Sequence, residues 1–436
     1  MSLLSLFIVA LLTICYYVID LRTLTVDEFL SEYNVRVLEL SNAAVLASWR
    51  HTTNFTHLHA KLNDDADAAE ASYNAVAYKT AKMFLERKQR GDISLSYDEE
   101  RQLKKVGAAS LVGKERNELS GVMNNISTTY ALAKVCVDGK DPKDECLNLQ
   151  PGLDNLMAKN RTYDILQEVW VKWRDNVGSK VRPHISSLIT LKNKMARLNG
   201  YSDYGAQLRG KYEAEGFEQQ IKKLNDQLVP LYKLVHAYVR LKLQQQYGKQ
   251  VIPDGGMIPA CVFGDMWGRF WNDIYDIVEP YPNMTSVDPT AQMLDQNMTV
   301  RQMYDIANDF YTSMGLKPLP PRFFELSMLE RPTDGTDVEC HSTAWDFLDG
   351  KDFRIRMCTE VNFKFLEVVH HELGHIQYFM QYAHLPQVYR NGANDGFHEA
   401  VGELMGMTMS TVNHLTSVGL LPKTRPAKEN GACSSS

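Results

Sequence analysis

The 436-residue chain has no basic run and no interleaving of aromatic with basic side chains, which argues against a nucleic-acid surface. Its 47 Lys and Arg stand against 53 Asp and Glu, a mixed population with a net charge of −6 and no field of one sign. It has no glycine-rich loop of the kind that cradles phosphates, so no nucleotide site is expected. There is no internal repeat, which excludes a solenoid or propeller. Segments with strand character are few. Long apolar runs are limited to Leu3–Ile19 at the N-terminus, and none occurs near the C-terminus.

What the chain does have is His371-Glu372-Leu373-Gly374-His375. This H-E-x-x-H pattern follows the apolar run Phe365, Leu366, Val368, Val369 and precedes Ile376, Phe379 and Met380, a helical stripe. Positions i and i+4 share one helix face, so both imidazoles can reach one Zn²⁺ at about 2.0–2.1 Å each. Glu372 then lies beside the ion without ligating it, as a general base requires. A buried helix with two His and one Glu inside needs partners for all three, and metal satisfies them together.

A catalytic zinc takes three protein ligands and keeps one position open. Glu399 is the expected third ligand. The intervening Asn391-Gly392-Ala393-Asn394-Asp395-Gly396 is rich in turn formers, so a second helix can return beside the first. Glu403, one turn beyond Glu399, is placed to accept a hydrogen bond from a ligating His. His398 is the rival ligand. On a helix it points about 100° away from Glu399, which favours a packing role.

These stretches resemble the angiotensin-converting enzymes, zinc peptidases that trim the carboxyl ends of peptides. The likeness rests on Val369 to Tyr378, Arg390 to Asn394 and Gly396 to Ala400, and upstream on Gly264 to Trp271, Cys340 to Asp346 and Asp352 to Ile355. Lys134-Val135-Cys136 and Val239 to Lys242 agree as well, and the likeness runs from about Leu24 to about Leu421. It implies a mainly α fold, two helical lobes around a deep zinc cleft with a minor sheet, and small peptides as substrates.

Most of that family releases a dipeptide; one branch, the related carboxypeptidases, releases a single residue. Dipeptide-releasing members resemble one another in having Gln two residues after the Trp of Gly-Asp-Met-Trp, where this chain has Arg269. A guanidinium there would fill the subsite of the second leaving residue and clamp a carboxylate bidentately. Gly268-Arg269-Phe270 matches the single-residue branch, so a carboxypeptidase is expected first and a peptidyl-dipeptidase second. A catalytically inactive zinc-binding glycoprotein is the reading from another class. The resemblance implies that His341 bonds the substrate backbone and that Thr343-Ala344 lie along it. It also matches Arg174 to a chloride contact whose partners are not found here. Family domains run further than this chain, so the second lobe is expected to be truncated, with impaired turnover. The polar, Pro/Ser-rich residues 422–436 are expected to be a disordered tail.

The Leu3–Ile19 run is longer than a signal-peptide core, about 7–15 residues, and shorter than a membrane helix, about 20. Residues 1–19 are expected to be a secretion signal, with a retained membrane anchor as the alternative; either takes residues 20–421, the expected peptidase domain, out of the cytosol. Five N-x-S/T sequons, at Asn54, Asn125, Asn160, Asn283 and Asn297, suit an extracellular glycoprotein. So do the cysteines: Cys136 with Cys146 and Cys340 with Cys358 match family disulfides, leaving Cys15, Cys261 and Cys433.

The rest reads as helix. Thr25-Val26-Asp27-Glu28 is a capping box. Helical patterns cover residues 66–90, 163–177, 185–198 and 217–247, the last interrupted by Pro230. Strand signals fall around Phe323–Leu329 and Phe353–Met357, a small sheet beside His341.

Overall fold

The computed structural model describes residues 21–107, 109, 111, 113–137, 146–269, 271–281 and 288–422. The leader, the tail beyond Pro422, Cys15, Cys433 and the Asn283 sequon lie outside the described residues. Helix dominates, as the periodicity predicts. Nine helices among the described residues have nine or more residues: α1 (Val26–Thr52), α2 (His57–Gln89), α3 (Tyr97–Lys105), α4 (Gly113–Leu132), α5 (Tyr163–Leu198), α6 (Phe217–Tyr247), α7 (Val300–Ser313), α8 (Phe363–Tyr382) and α9 (Phe397–Met409). The sheets are two antiparallel pairs, β1 (Lys134–Val135) with β2 (Leu147–Asn148), and β3 (Thr343–Asp346) with β4 (Phe353–Arg356). No helix among the described residues is long and apolar enough to cross a membrane.

The Thr25 capping box forms. Its hydroxyl accepts from the Glu28 amide at 3.3 Å, and Glu28 accepts from the Thr25 amide at 2.8 Å. The capped helix buries Phe29, Tyr33 and Val37 against Ala77, Ala81 and Phe84 of α2 and Leu103 of α3. A second core joins α5, the last turns of α6 and the stretch Cys261–Val278. A third joins α7, the β3–β4 pair, α8 and α9, and it carries the site.

Two expected breaks do not occur. Pro183 sits inside an unbroken α5 and Pro230 inside an unbroken α6. A helical proline removes one backbone donor and costs about 3 kcal/mol. Both prolines are exposed, so water can satisfy the freed carbonyls, and long helix on either side carries the turn through. The strand expected around Phe323–Leu329 is also corrected. Phe323–Leu326 is a short helix, and only Met328 bridges to Arg356. Phe323 points into the core against Tyr304, which a helical turn allows. The strand that pairs with Phe353–Arg356 is instead Thr343–Asp346.

Both expected disulfides form, Cys136–Cys146 closing on β1–β2 and Cys340–Cys358 bracketing β3–β4. Of the described sequons, Asn54, Asn125 and Asn297 are exposed. Asn160 is half-buried, and its side-chain oxygen accepts from the Thr162 amide at 2.7 Å.

Candidate metal centre

Helix α8 is the backbone of the site. Asn362 caps it by accepting from the Phe365 amide at 2.9 Å. At its other end the Lys317 ammonium donates to the Met380 carbonyl at 2.7 Å, where a cation suits the helix dipole. Leu366, Val369, Leu373 and Ile376 anchor one face in the core. The Tyr311 hydroxyl, from α7, donates to the carbonyl of His370. With that face held, the turn containing His371 and His375 faces α9.

The two helices cross closely because two glycines meet there. A Cβ on Gly374 would stand 3.3 Å from Cα of Gly402, and one on Gly402 would stand 2.6 Å from the His371 ring. No other residue lets the α9 backbone come so near an imidazole. Across this contact Nε2 of His371 lies 3.1 Å from Nε2 of His375 and 3.2 Å from a Glu399 oxygen. Nε2 of His375 lies 3.8 Å from the other Glu399 oxygen. One donor atom from each residue lies within 4.8 Å of the others, and this is the single group of its kind among the described residues.

These separations suit a shared small cation. Ligands at about 2.05 Å around a tetrahedral ion stand about 3.3 Å apart. Two neutral imidazole nitrogens facing each other and a carboxylate present lone pairs to one another, which repel unless a proton or cation lies between them. The two-nitrogen, one-oxygen donor set is one that zinc accepts. Burial holds His375 neutral, its pKa pushed down to about 4 with help from the neighbouring His371 and His398.

Glu372 projects beside this cluster. Burial pushes its pKa up to about 8, the Glu399 charge adds to the rise, and a hydrogen bond from the Ala344 amide opposes it. That amide belongs to β3, so the strand runs directly along the glutamate. Thr343 shares the strand, while His341, just before it, is exposed. A cavity of about 390 Å³ opens beside the strand. Ser342, the Cys340–Cys358 bridge and Val368, one turn before His371, line it together with Asp154, Asp273 and Lys364.

Glu403 has one oxygen 3.9 Å from Nδ1 of His371, on the expected side but beyond hydrogen-bond length. His398 is not in the donor group. Its Nδ1 lies 3.2 Å from Nδ1 of His375, on the outer side of that ring. The adjacent His370 turns into the core. There its Nδ1 bonds the Leu366 carbonyl at 2.8 Å and its ring meets Phe310 and His414.

Arg269 stands on a loop shaped by its own motif. Gly264 and Gly268 take φ of +86° and +64°, and the buried Asp265 carboxylate accepts from the amides of Trp267 at 2.6 Å and Arg269 at 2.9 Å. The Arg269 side chain is exposed and electrostatically close to Tyr130. Arg174 braces the same loop: its guanidinium stacks 3.4 Å from the Trp170 ring centroid and donates to the Met266 carbonyl. Sequence reasoning missed Gly374, Gly402 and Tyr311. For the glycines, the available signal was their position inside strong helical patterns, where glycine is costly unless packing demands it.

The sequence model of peptidase family M2, angiotensin-converting enzyme, matches residues 22–432. Angiotensin-converting enzyme of Mus musculus is 42% identical over 407 residues, covering 92% of this chain and 30% of the relative. That of Oryctolagus cuniculus is 43% identical over 401 residues, 91% of this chain and 30% of the relative. That of Bos taurus is 41% identical over 399 residues, 90% of this chain and 30% of the relative. The chain therefore spans about 30% of the length of these curated relatives. The match runs through α8, α9 and the strand beside them, and the chain belongs to the angiotensin-converting-enzyme family.

Proposed function

We propose that this protein is an extracellular zinc peptidase that removes residues from the carboxyl ends of small peptides, one residue at a time. The observation that carries this reading is the convergence of His371, His375 and Glu399 beside a buried Glu372 whose carboxylate is held by a strand amide. His371, His375 and Glu399 would hold the ion. Zinc, when bound there, supplies Lewis acidity to a peptide carbonyl and to water. Glu372 takes a proton from the attacking water and returns it to the leaving amine. The substrate lies along Thr343-Ala344, with His341 bonding its backbone. Arg269 clamps the terminal carboxylate close to the scissile bond, which favours single-residue release over a dipeptide. Residues 20–421 act as one peptidase domain, and Arg174 is the candidate chloride contact. The two disulfides and the exposed sequons support an extracellular site of action.

Product mass tests this directly. The 436-residue chain is incubated with mixed peptides beside Glu372→Gln. Zinc content should be equal, and cleavage should fall by at least about 100-fold in the variant. Retained cleavage refutes the role of Glu372. Loss of two residues per event refutes the role of Arg269. No cleavage by a zinc-loaded wild-type chain makes it a binding glycoprotein.

A further inference from the structure

We propose that His398 is a positioning residue that holds His375 in its ligating orientation and is itself held by Tyr382. The inference rests on the metal-centre reading above and adds two residues to it. His375 turns Nε2 toward His371 and Glu399, at 3.1 and 3.8 Å. A neutral imidazole has one N–H, so a ring that ligates through Nε2 carries its proton on Nδ1. That Nδ1 lies 3.2 Å from Nδ1 of His398. His375 donates, and His398 must accept. A neutral His398 that accepts at Nδ1 carries its own proton on Nε2, which lies 3.1 Å from the Tyr382 hydroxyl oxygen. Tyr382 accepts there. One requirement at the metal end thus sets both tautomers and the direction of both bonds.

The packing agrees with a fixed ring. His398 lies 4.6 Å from the Tyr378 ring centroid and 5.0 Å from that of Phe379, both on α8. On the other side a Cβ at Gly392 would stand 3.3 Å from its Cδ2. The two ligand histidines are served unequally. His375 has an outer partner within hydrogen-bond range, whereas Glu403 stands 3.9 Å from His371. Helix α9 therefore supplies a ligand at Glu399 and, one residue earlier, the group that aims a second ligand from α8.

Zinc affinity measured by chelator competition tests the proposal, together with the visible spectrum of the cobalt-substituted chain. The wild type is compared with His398→Phe, Tyr382→Phe and the double variant. His398→Phe should weaken zinc about 10–100-fold and shift the cobalt bands, with three ligands retained. Tyr382→Phe should weaken it less. The double variant should be no weaker than His398→Phe alone, because Tyr382 acts through His398. Wild-type affinity and an unchanged spectrum in His398→Phe overturn the proposal, as do losses that multiply in the double variant. Should His398→Phe not fold, Tyr382→Phe decides, and unchanged affinity there overturns the proposal. A wild-type chain with no zinc affinity refutes the underlying metal-centre reading instead.

Discussion

Gly402→Ala adds one methyl group where the structure has least room. Its Cβ would stand 2.6 Å from Cε1 and 2.8 Å from both nitrogens of the His371 ring. Ordinary carbon contacts begin near about 3.5 Å, so the ring must retreat by about 1 Å. It has little freedom to do so, because Nε2 faces Glu399 at 3.2 Å and Nδ1 faces Glu403. Two effects on the metal-free fold oppose each other. Alanine in place of glycine inside a helix gains about 1 kcal/mol, and overpacking costs about 1–3 kcal/mol. The net loss is about 0–2 kcal/mol, and the chain should still fold. Metal binding suffers more, because a site tolerates ligand shifts of only about 0.2 Å. Zinc affinity should fall by about 100-fold or more, which removes about 2.7 kcal/mol of zinc-linked stabilisation. The assay is a thermal melt with and without zinc, alongside chelator competition. Gly406→Ala is the control, one turn further along α9. Its Cβ would meet only Glu367 at 3.4 and 3.7 Å, an ordinary contact with a flexible side chain. It should keep zinc affinity and gain up to about 1 kcal/mol. Wild-type affinity in Gly402→Ala, or equal loss in Gly406→Ala, would refute the steric argument.

Two further outcomes are expected. The Asp346 carboxyl is raised to about 6 from 3.8, chiefly by burial, with the Leu348 amide and Arg390 opposing the rise and Asp349 adding to it. The folded state then holds this proton more tightly than the unfolded one. The penalty is absent below about pH 4 and complete above about pH 6. Asp346→Asn should raise the melting temperature at pH 7 and leave it unchanged at pH 4; an equal shift at both values rules out ionisation as the cause. Tyr311→Phe keeps the ring and removes the hydroxyl that donates to the His370 carbonyl. Urea unfolding should show a loss of about 1 kcal/mol, and no loss would mean that this bond contributes nothing net.

The helical parts of the fold were legible where the signals are local. The Thr25 box and the stripe around His371 depend on residues within one or two turns of each other. Pro230 was read too literally, and the gap expected between residues 177 and 185 is helix as well; at Pro230, and at Pro183 within that gap, solvent exposure and long flanking helix outweigh the local penalty. The Phe323–Leu329 reading failed because a short apolar run does not distinguish a strand from a buried turn of helix. The β3 strand shows the same limit. Its four residues are all half-buried, and pairing with β4 defines it more than its own pattern does.

The sequence by itself determined the chemistry available: an i, i+4 pair of imidazoles with a glutamate between them, a glutamate 24 residues on, and cysteines positioned to bracket the hairpin. These follow from helix pitch and residue type. Only the tertiary structure decided that α9 returns at glycine-to-glycine distance, that His370 turns inward while His371 turns out, and that Ala344 reaches Glu372. It also placed His398 behind His375 and not among the donors. The physical reason is that ligand chemistry is written in side chains, whereas ångström-scale approach depends on which faces the cores bury and where a missing Cβ lets two helices meet.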